Sequence, residues 1–292
     1  MINKDRITLI GLPPSPYTRK MIALLRYRQI PYQVIWGSPH DTFKNKGIFN
    51  DLGIEAPKPA LLPTFILPND KGEFETVTDS TPIIRRLEDD FKKRSVIPEN
   101  PALCFLNYLL EDFGDEWVTK YMFHYRWHFD EDADNASSIL PLHNKVDLAD
   151  DAWQLFKDSI GSRQIERLRV VGSNDVTAPI IEKSYKRFLK IMENHLSNFP
   201  FLFGYRPSSA DFAIYGQLTQ LIGLDPTSRA IAHKLSLRTT AWVDNMEDMS
   251  GLNPNDNPWE TFETLSENMK PILEEIGRTY VPALLANRMA IE

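Results

Sequence analysis

Strand signals in this sequence are confined to the first eighty residues, and this uneven distribution limits the folds that the chain can adopt. The β-prone runs lie at 7–10, 32–35, 64–67 and 74–77, and they alternate with helical patterns at 16–30, 41–52 and 80–91. Two early strands separated by a helix predict a parallel crossover, and the turn at 68–72 predicts a hairpin. Residues 1–91 are therefore predicted to form a small α/β domain.

Beyond a charged, proline-containing linker predicted at 92–101, apolar residues recur at helical spacing and strand signals nearly vanish. Helices are predicted at 103–129, 149–171, 180–196, 210–222, 230–249 and 259–276. The second of these is expected to break near Gly161. The acidic segment 130–147 lacks periodicity and is interpreted as a loop or insertion. We therefore expect an all-α domain over 102–292 that carries an insertion at about 130–180.

Composition excludes several classes of protein. The 292 residues include 33 Lys and Arg, 40 Asp and Glu and a single cysteine, giving a formal net charge of −7. This balance disfavours nucleic acid as the main partner, because phosphate binding requires a concentrated basic face. One cysteine cannot build a disulfide scaffold or a cysteine-rich zinc site. Since no apolar run approaches the roughly 18 residues of a membrane helix and no signal-peptide core is evident, we expect a cytoplasmic protein without a membrane partner.

Four short motifs lie on the predicted elements. They are Ser15-Pro16-Tyr17-Thr18-Arg19-Lys20 after the first strand, Leu62-Pro63 opening the third strand, Asp79-Ser80 opening the last helix of the α/β domain, and Ser208-Ser209-Ala210-Asp211 far downstream. In this order they resemble the glutathione transferase superfamily, which combines a thioredoxin-like N-terminal domain with an all-α helical bundle. Ser15 stands where glutaredoxin-like members carry their first cysteine, so the chain resembles the serine-type transferases.

The resemblance implies a homodimeric detoxification enzyme that joins glutathione, as a co-substrate, to a hydrophobic electrophile without a metal. Glutathione-dependent lyases, dehalogenases and isomerases use the same activated thiolate and stay as alternatives. A non-catalytic protein that binds ligands or partners with this fold is a further alternative, because fold does not fix function.

Ser15 is the candidate catalytic residue. A free thiol has a pKa of about 8.5, and lowering it by about two units requires roughly 2.7 kcal/mol of preferential thiolate stabilisation. A hydroxyl hydrogen bond to a charged group supplies about 1.5–3 kcal/mol, and a helix N-terminus adds about 0.3–1 kcal/mol. Ser15 offers both contributions, although a serine before proline is also a common N-cap. Thr18, one turn further on, is the alternative hydroxyl.

The resemblance assigns Leu62, Pro63, Asp79 and Ser80 to glutathione binding. A cis peptide at Pro63 would expose the backbone of Leu62 to the cysteinyl backbone of glutathione, whereas a trans proline at a strand start is the plain alternative. Asp79 would bind the γ-glutamyl ammonium group, and Ser80 with the helix N-terminus would bind the carboxylate. Helix capping is compatible with both roles. Candidates for the glycyl carboxylate are Lys58, Lys44 and His40, although each is more readily interpreted as a solvated surface residue.

The aromatic stretch at 121–128 and the first turn after strand one supply candidates for the second-substrate pocket. By resemblance these are Tyr17, Tyr121, Tyr125 and His128, although aromatic side chains at helical spacing more often belong to a core. His124 and His128 are spaced for a shared metal ion, but the sequence offers no obvious third ligand and no metal is expected. Ser208 and Asp211 match a helix capping box and are given a structural role.

Overall fold

The computed structural model describes residues 6–39 and 46–291. Its N-terminal part contains β1 (Ile7–Gly11), α1 (Pro16–Tyr27), β2 (Tyr32–Trp36), α2 (Lys46–Leu52), β3 (Thr64–Pro68), β4 (Phe74–Val77) and α3 (Ser80–Asp90). The four strands form one sheet in the order β2-β1-β3-β4. Strand β1 runs parallel to β2 and antiparallel to β3, and β3 pairs antiparallel with β4. The predicted crossover, the hairpin and the α/β fold of this region are confirmed.

The remainder of the described chain is mostly helical, as predicted. The helices are α4 (Pro101–Asp112), α5 (Thr119–His128), α6 (Asp130–Asn144), α7 (Asp150–Glu166), α8 (Ala178–His195), α9 (Ser209–Gly223), α10 (Pro226–Leu235), α11 (Leu237–Met246), α12 (Phe262–Glu275) and α13 (Val281–Ile291). Two π-helical turns, at Phe113–Val118 and Ile276–Tyr280, connect α4 to α5 and α12 to α13. No described helix is long and apolar enough to cross a membrane. The domain boundaries at 92–101 stay a prediction.

The loop predicted at 130–147 is wrong, because α6 occupies most of this segment. Its buried face is built from small residues, with Ala133 and Ala136 packed in a cluster with Trp127. Alanines give a weak apolar periodicity, so the pattern was hidden among acidic residues. Asp130 and the acids after it instead favour the helix start, where the helix dipole attracts negative charge.

The break predicted near Gly161 is also wrong, because α7 continues through this residue. A β-carbon at Gly161 would lie 3.3 Å from the β-carbon of Ser137 on α6. The glycine therefore allows α6 and α7 to approach closely. By contrast, the single helix predicted at 230–249 is divided at Ser236 into α10 and α11.

Helix α1 shares the main hydrophobic core with both the sheet and α9. The two helices approach each other closely at Gly216 on α9. A β-carbon there would come within 2.5 Å of the Pro16 carbonyl oxygen and 3.0 Å of Lys20 Cβ. Any larger residue would push the helices apart, so this glycine sets the position of α1 against the helical region.

The predicted capping box at the start of α9 is confirmed. The backbone N–H and the hydroxyl of Ser208 both donate to Asp211 Oδ2 at 2.8 Å, and the Leu202 N–H donates to Oδ1 at 2.9 Å. Asp211 is fully buried. It therefore satisfies amides at the helix start and in the preceding turn, from within the core.

Asp211→Ala is expected to lower the free energy of unfolding by about 3 kcal/mol or more, because it leaves buried donors without an acceptor. Urea denaturation measures this loss. Asp89→Ala, which removes an exposed carboxylate on α3, is the control and should change stability by less than about 0.5 kcal/mol. Equal effects of the two substitutions would contradict the structural role of Asp211.

Candidate active site

Ser15 lies in the turn between β1 and α1, with its backbone extended and Pro16 in the first helical position. Its Oγ accepts a hydrogen bond from the Thr18 N–H at 3.2 Å, so Ser15 is the N-cap of α1. The residue is only half-buried. Because accepting one bond leaves the hydroxyl hydrogen available, Ser15 can cap the helix and donate to a ligand at the same time.

Thr18 lies in the interior of the protein. The residue is fully buried, and its hydroxyl oxygen has no hydrogen-bond partner among the described residues. A ligand outside the first turn of α1 can reach Ser15 but cannot reach Thr18. Of the two hydroxyls that the sequence left open, the geometry therefore supports Ser15.

The start of β3 has the backbone geometry that the resemblance implies. The Leu62–Pro63 peptide is cis, as is the nearby Lys58–Pro59 peptide. Pro63 is buried and Leu62 is half-buried. Strand β3 lies beside β1, so this turn and the turn that carries Ser15 belong to neighbouring strands. Of the candidates for the glycyl carboxylate, His40 and Lys44 lie outside the described residues.

Asp79 and Ser80 form the start of α3. Asp79 is the N-cap, and its Oδ1 accepts from the Thr81 N–H at 3.2 Å. Its φ of +76° is uncommon for a residue other than glycine and is typical of strained positions, which cluster at functional sites. Asp79 is exposed, whereas Ser80 is buried. The acid therefore faces solvent while the serine contacts the interior.

A buried lysine lies behind Ser80, and sequence analysis missed its role. Lys20 on α1 is fully buried, and its ammonium group donates to Ser80 Oγ at 3.0 Å. It also donates to Glu111 Oε1 at 3.2 Å and to Asp115 Oδ2 at 2.6 Å. Lys20 thus joins α1, the start of α3 and the α4 segment of the helical region.

Further donors surround the Glu111 carboxylate. Its Oε2 accepts from Arg85 at 2.8 Å and from Ser209 at 2.7 Å, and Thr81 donates to Oε1 at 3.1 Å. Burial raises the pKa of Glu111, but Lys20 and Arg85 outweigh it and hold the pKa below its usual value. In the same way burial lowers the pKa of Lys20, and the two carboxylates more than restore it. We name Lys20, Glu111, Asp115 and Arg85 the buried charge cluster; its two cations face two carboxylates.

The sequence of residues 9–95 matches the family of glutathione S-transferase N-terminal domains. This part of the chain is thus similar to a glutathione S-transferase N-terminal domain. A comparison with curated proteins gives no match.

Solved structures extend the likeness of fold over most of the chain. The beta-etherase LigF from Sphingobium sp. strain SYK-6 gives a TM-score of 0.57 at 15% identity, covering 90% of this chain and 98% of that one. A GST-like protein from Pseudomonas syringae gives 0.52 at 17% identity, with coverages of 88% and 78%. A glutathione transferase from Burkholderia graminis, solved with two glutathione molecules per subunit, gives 0.50 at 18% identity, with coverages of 83% and 88%. Together these show the glutathione S-transferase fold: a small four-stranded domain followed by a mostly helical region.

The structure places two of the candidate pocket residues in the core of the helical region. Tyr121 and Tyr125 are both fully buried and pack against the ring of Tyr185. The Tyr121 hydroxyl lies 2.6 Å from Ser184 Oγ. These contacts favour the core role that the sequence left as the alternative for both tyrosines.

Tyr17 forms part of the contact between the N-terminal region and the helical region. Its hydroxyl donates to the Asp115 carbonyl oxygen at 2.9 Å. Burial, and then the charge of Asp115, raises the pKa of Tyr17, so the phenol stays protonated at neutral pH. A phenol held in this way contributes packing between the N-terminal and helical regions and is poorly placed to ionise.

His128 is half-buried and stacks on His124, with ring centroids 4.5 Å apart. Nδ1 of His124 lies 2.8 Å from Ser173 Oγ. Within the ranges 6–39 and 46–291, no group of three or more His, Cys, Asp or Glu side chains is placed to bind a metal ion. Burial, followed by the charge of His128, lowers the pKa of His124 to about 4.

The lowered pKa of His124 predicts that the folded protein loses stability on acidification. Its pKa is about 6.5 in the unfolded chain and about 4 in the folded protein, so between these values the unfolded chain binds more protons. This part of the stability is present above pH 6.5 and falls by about 2–3 kcal/mol as the pH drops to 4. Glu182 Oε1 lies 4.0 Å from Nε2 of His124, at the limit of an ion pair.

Urea denaturation between pH 7.5 and 4, compared between the wild type and His124→Asn, isolates this contribution. The difference in unfolding free energy between the two proteins should shrink as the pH falls. His233→Asn, at an exposed position on α10, is the control and should give a constant difference. A pH-independent difference for His124→Asn would show that His124 does not titrate in this range.

Proposed function

We propose that this protein is a serine-type glutathione transferase that activates the thiol of glutathione for attack on a hydrophobic electrophile. The observation that carries the proposal is the half-buried Ser15 at the start of α1, in a region similar to a glutathione S-transferase N-terminal domain. In the reaction the thiol loses its proton, and the thiolate forms a carbon–sulfur bond. A leaving group departs with its electron pair, or a proton completes an addition.

Ser15 lowers the pKa of the bound thiol by donating its hydroxyl hydrogen to the thiolate. A hydrogen bond to a charged group contributes about 1.5–3 kcal/mol, and one pKa unit corresponds to 1.36 kcal/mol. The N-terminus of α1 adds favourable positive potential at the same point. The two contributions together are sufficient to make the bound thiol largely ionised near neutral pH.

The γ-glutamyl end of glutathione binds at the start of α3. Asp79 is exposed and faces the ammonium group, while the Ser80 hydroxyl and the first free amide of the helix donate to the carboxylate. Ser80 Oγ already accepts from the Lys20 ammonium group at 3.0 Å. Accepting a bond from a cation makes the Ser80 hydroxyl a stronger donor, because neighbouring hydrogen bonds polarise one another.

Between these two points, Leu62 pairs with the cysteinyl backbone of glutathione. The cis Leu62–Pro63 peptide and the half-buried position of Leu62 support this role. Ser15, Leu62 and Ser80 would then bind successive parts of a single extended tripeptide. The proposed site needs no metal.

Cleavage of an ether is a second candidate reaction at the same site. The likeness in fold to the beta-etherase LigF favours it, at a TM-score of 0.57. In this reaction the thiolate attacks the carbon that carries the ether oxygen, and the oxygen leaves with the bonding electrons. The activated thiolate is the same, so Ser15 has the same role in both reactions.

We further propose a homodimeric, cytoplasmic enzyme that acts in detoxification. Helix α4 carries two largely exposed aromatic side chains, Phe105 and Tyr108, which are 66% and 56% exposed. Their exposure supports a second copy of the chain as the partner, because apolar surface of this kind is favourably buried on association. The dimer itself is an expectation from the family.

Ser15→Ala should lower the turnover rate by about 10- to 100-fold, which corresponds to the loss of one charge-assisted hydrogen bond. The dissociation constant of glutathione should change little, because the γ-glutamyl and cysteinyl contacts are retained. Thr18→Val is the matched control: it removes a buried hydroxyl without a hydrogen-bond partner from the same turn of α1.

Steady-state kinetics with aryl halide and aryl ether substrates, combined with calorimetry, separates the alternatives. Full activity of Ser15→Ala would contradict the assignment of Ser15. Binding of glutathione by the wild type without turnover of any electrophile would favour the non-catalytic ligand-binding alternative.

Ser80→Ala should weaken glutathione binding by about tenfold, because the carboxylate loses one hydrogen bond. Isothermal titration calorimetry measures this change. Thermal unfolding checks that the variant is still folded, because Ser80 also contacts Lys20 of the buried charge cluster. Ser266→Ala, on the distant helix α12, is the control. If the wild type does not bind millimolar glutathione, the proposed function is wrong.

A further inference from the structure

The turn that precedes Ser15 is held by two side chains of the helical region. This turn contains Pro13 and Pro14, which have no backbone N–H to donate. Arg126 Nη1 donates to the Pro14 carbonyl oxygen, and Gln220 Nε2 donates to the Pro13 carbonyl oxygen, each at 3.2 Å. The Ser15 N–H donates to the Leu12 carbonyl oxygen at 3.1 Å and closes the turn. All three carbonyl oxygens before Ser15 are thus hydrogen-bonded.

The two donors are themselves fixed by a buried ion pair. Arg126 on α5 donates from Nε to Asp225 Oδ1 at 2.8 Å and from Nη2 to Asp225 Oδ2 at 3.2 Å. Nη2 also donates to Gln220 Oε1 at 2.9 Å. We name Arg126, Gln220 and Asp225 the turn clamp. All three are at least 95% buried.

A two-point pairing of this kind restricts the orientation of a guanidinium group more than a single contact does. Asp225 binds the edge of the Arg126 guanidinium group that carries Nε and Nη2, which fixes the plane of the group. The remaining nitrogen, Nη1, then points to the Pro14 carbonyl oxygen. Gln220 is oriented in turn by Arg126. The carbonyl oxygens of Pro13 and Pro14 therefore meet donors whose positions are set within the helical region.

We propose that Arg126 and Gln220 are positioning residues for the transfer reaction, which hold the Pro13–Pro14 turn so that the Ser15 hydroxyl points at the glutathione sulfur. This inference rests on the proposed function. Pro14 is bonded directly to Ser15, so a small rotation of the Pro14 carbonyl group moves the Ser15 hydroxyl. The helical region thereby acts on the chemistry of the N-terminal domain without touching the substrate.

Two variants test the turn clamp. Gln220→Met keeps the side-chain volume and removes the donor to Pro13. The double substitution R126M/D225N removes the donor to Pro14 together with the charge that Arg126 neutralises, so no unpaired buried charge is left. The matched control is Trp242→Phe, because Nε1 of Trp242 donates to the carbonyl oxygen of Pro200 at 2.9 Å, at a site outside the clamp.

The readout is the ultraviolet absorbance of the glutathione thiolate, titrated with pH on the protein complex, with calorimetry and thermal unfolding alongside. Each clamp variant should raise the pKa of the bound thiol by about one unit, a tenfold loss of thiolate at a given pH below that pKa. Glutathione affinity should stay within about threefold of the wild type. Trp242→Phe should lower the melting temperature without moving the thiol pKa.

The outcomes separate this inference from the proposed function. If the wild type lowers the pKa of the thiol and both clamp variants lower it equally, the turn clamp has only a structural role and the inference is overturned. If the wild type binds no glutathione or leaves its thiol at the pKa of the free tripeptide, the proposed function and this inference both fail. A raised thiol pKa in folded clamp variants supports the inference.

Discussion

The contact between α1 and α9 is the constraint on which the site depends. At Gly216 the two helices lie so close that a β-carbon would meet the Pro16 carbonyl oxygen at 2.5 Å. Ser15 immediately precedes Pro16, so the position of the candidate catalytic hydroxyl is set by the same contact. Also on α1, Arg19 and Arg26 pair with Glu247, which accepts a further hydrogen bond from Tyr215 on α9. Helix α1 is therefore fixed along its length against the helical region.

The buried charge cluster lies near this contact and connects the two ends of the proposed glutathione site. Lys20 extends from α1, whose N-terminus carries Ser15, to Ser80 at the start of α3. Its carboxylate partners, Glu111 and Asp115, come from α4 and the π-helical turn that follows it. A buried pair of this kind adds little net stability compared with a well-packed apolar core, but breaking it costs about 3–5 kcal/mol. We infer that the cluster fixes the position of the start of α3 relative to α1.

Much of the fold followed from the sequence, because its strands and large amphipathic helices have strong periodicity. The cap at Ser15 and the capping box at Asp211 were also predictable, since each depends on residues that are near one another in the chain. Helix α6 was missed because alanines form its buried face. Lys20 was missed because a lysine in a helix is typical of a solvated face, and its partners lie 60 to 95 residues away in the chain.

The sequence also left the aromatic stretch at 121–128 undecided between a core and a pocket. The deciding contacts are made by Tyr185, on a helix more than fifty residues further along the chain, and no local pattern shows them. The turn clamp was hidden for the same reason. Arg126, Gln220 and the Pro13–Pro14 turn come from three separate segments, and their relation exists only in the folded chain.

A crystal structure of the protein with bound glutathione tests the central claim most directly. We predict that the sulfur lies within hydrogen-bond distance of Ser15 Oγ, that the cysteinyl backbone pairs with Leu62, and that the γ-glutamyl carboxylate contacts Ser80 at the start of α3. Glutathione bound with its sulfur away from Ser15, or at another place in the fold, would contradict the account.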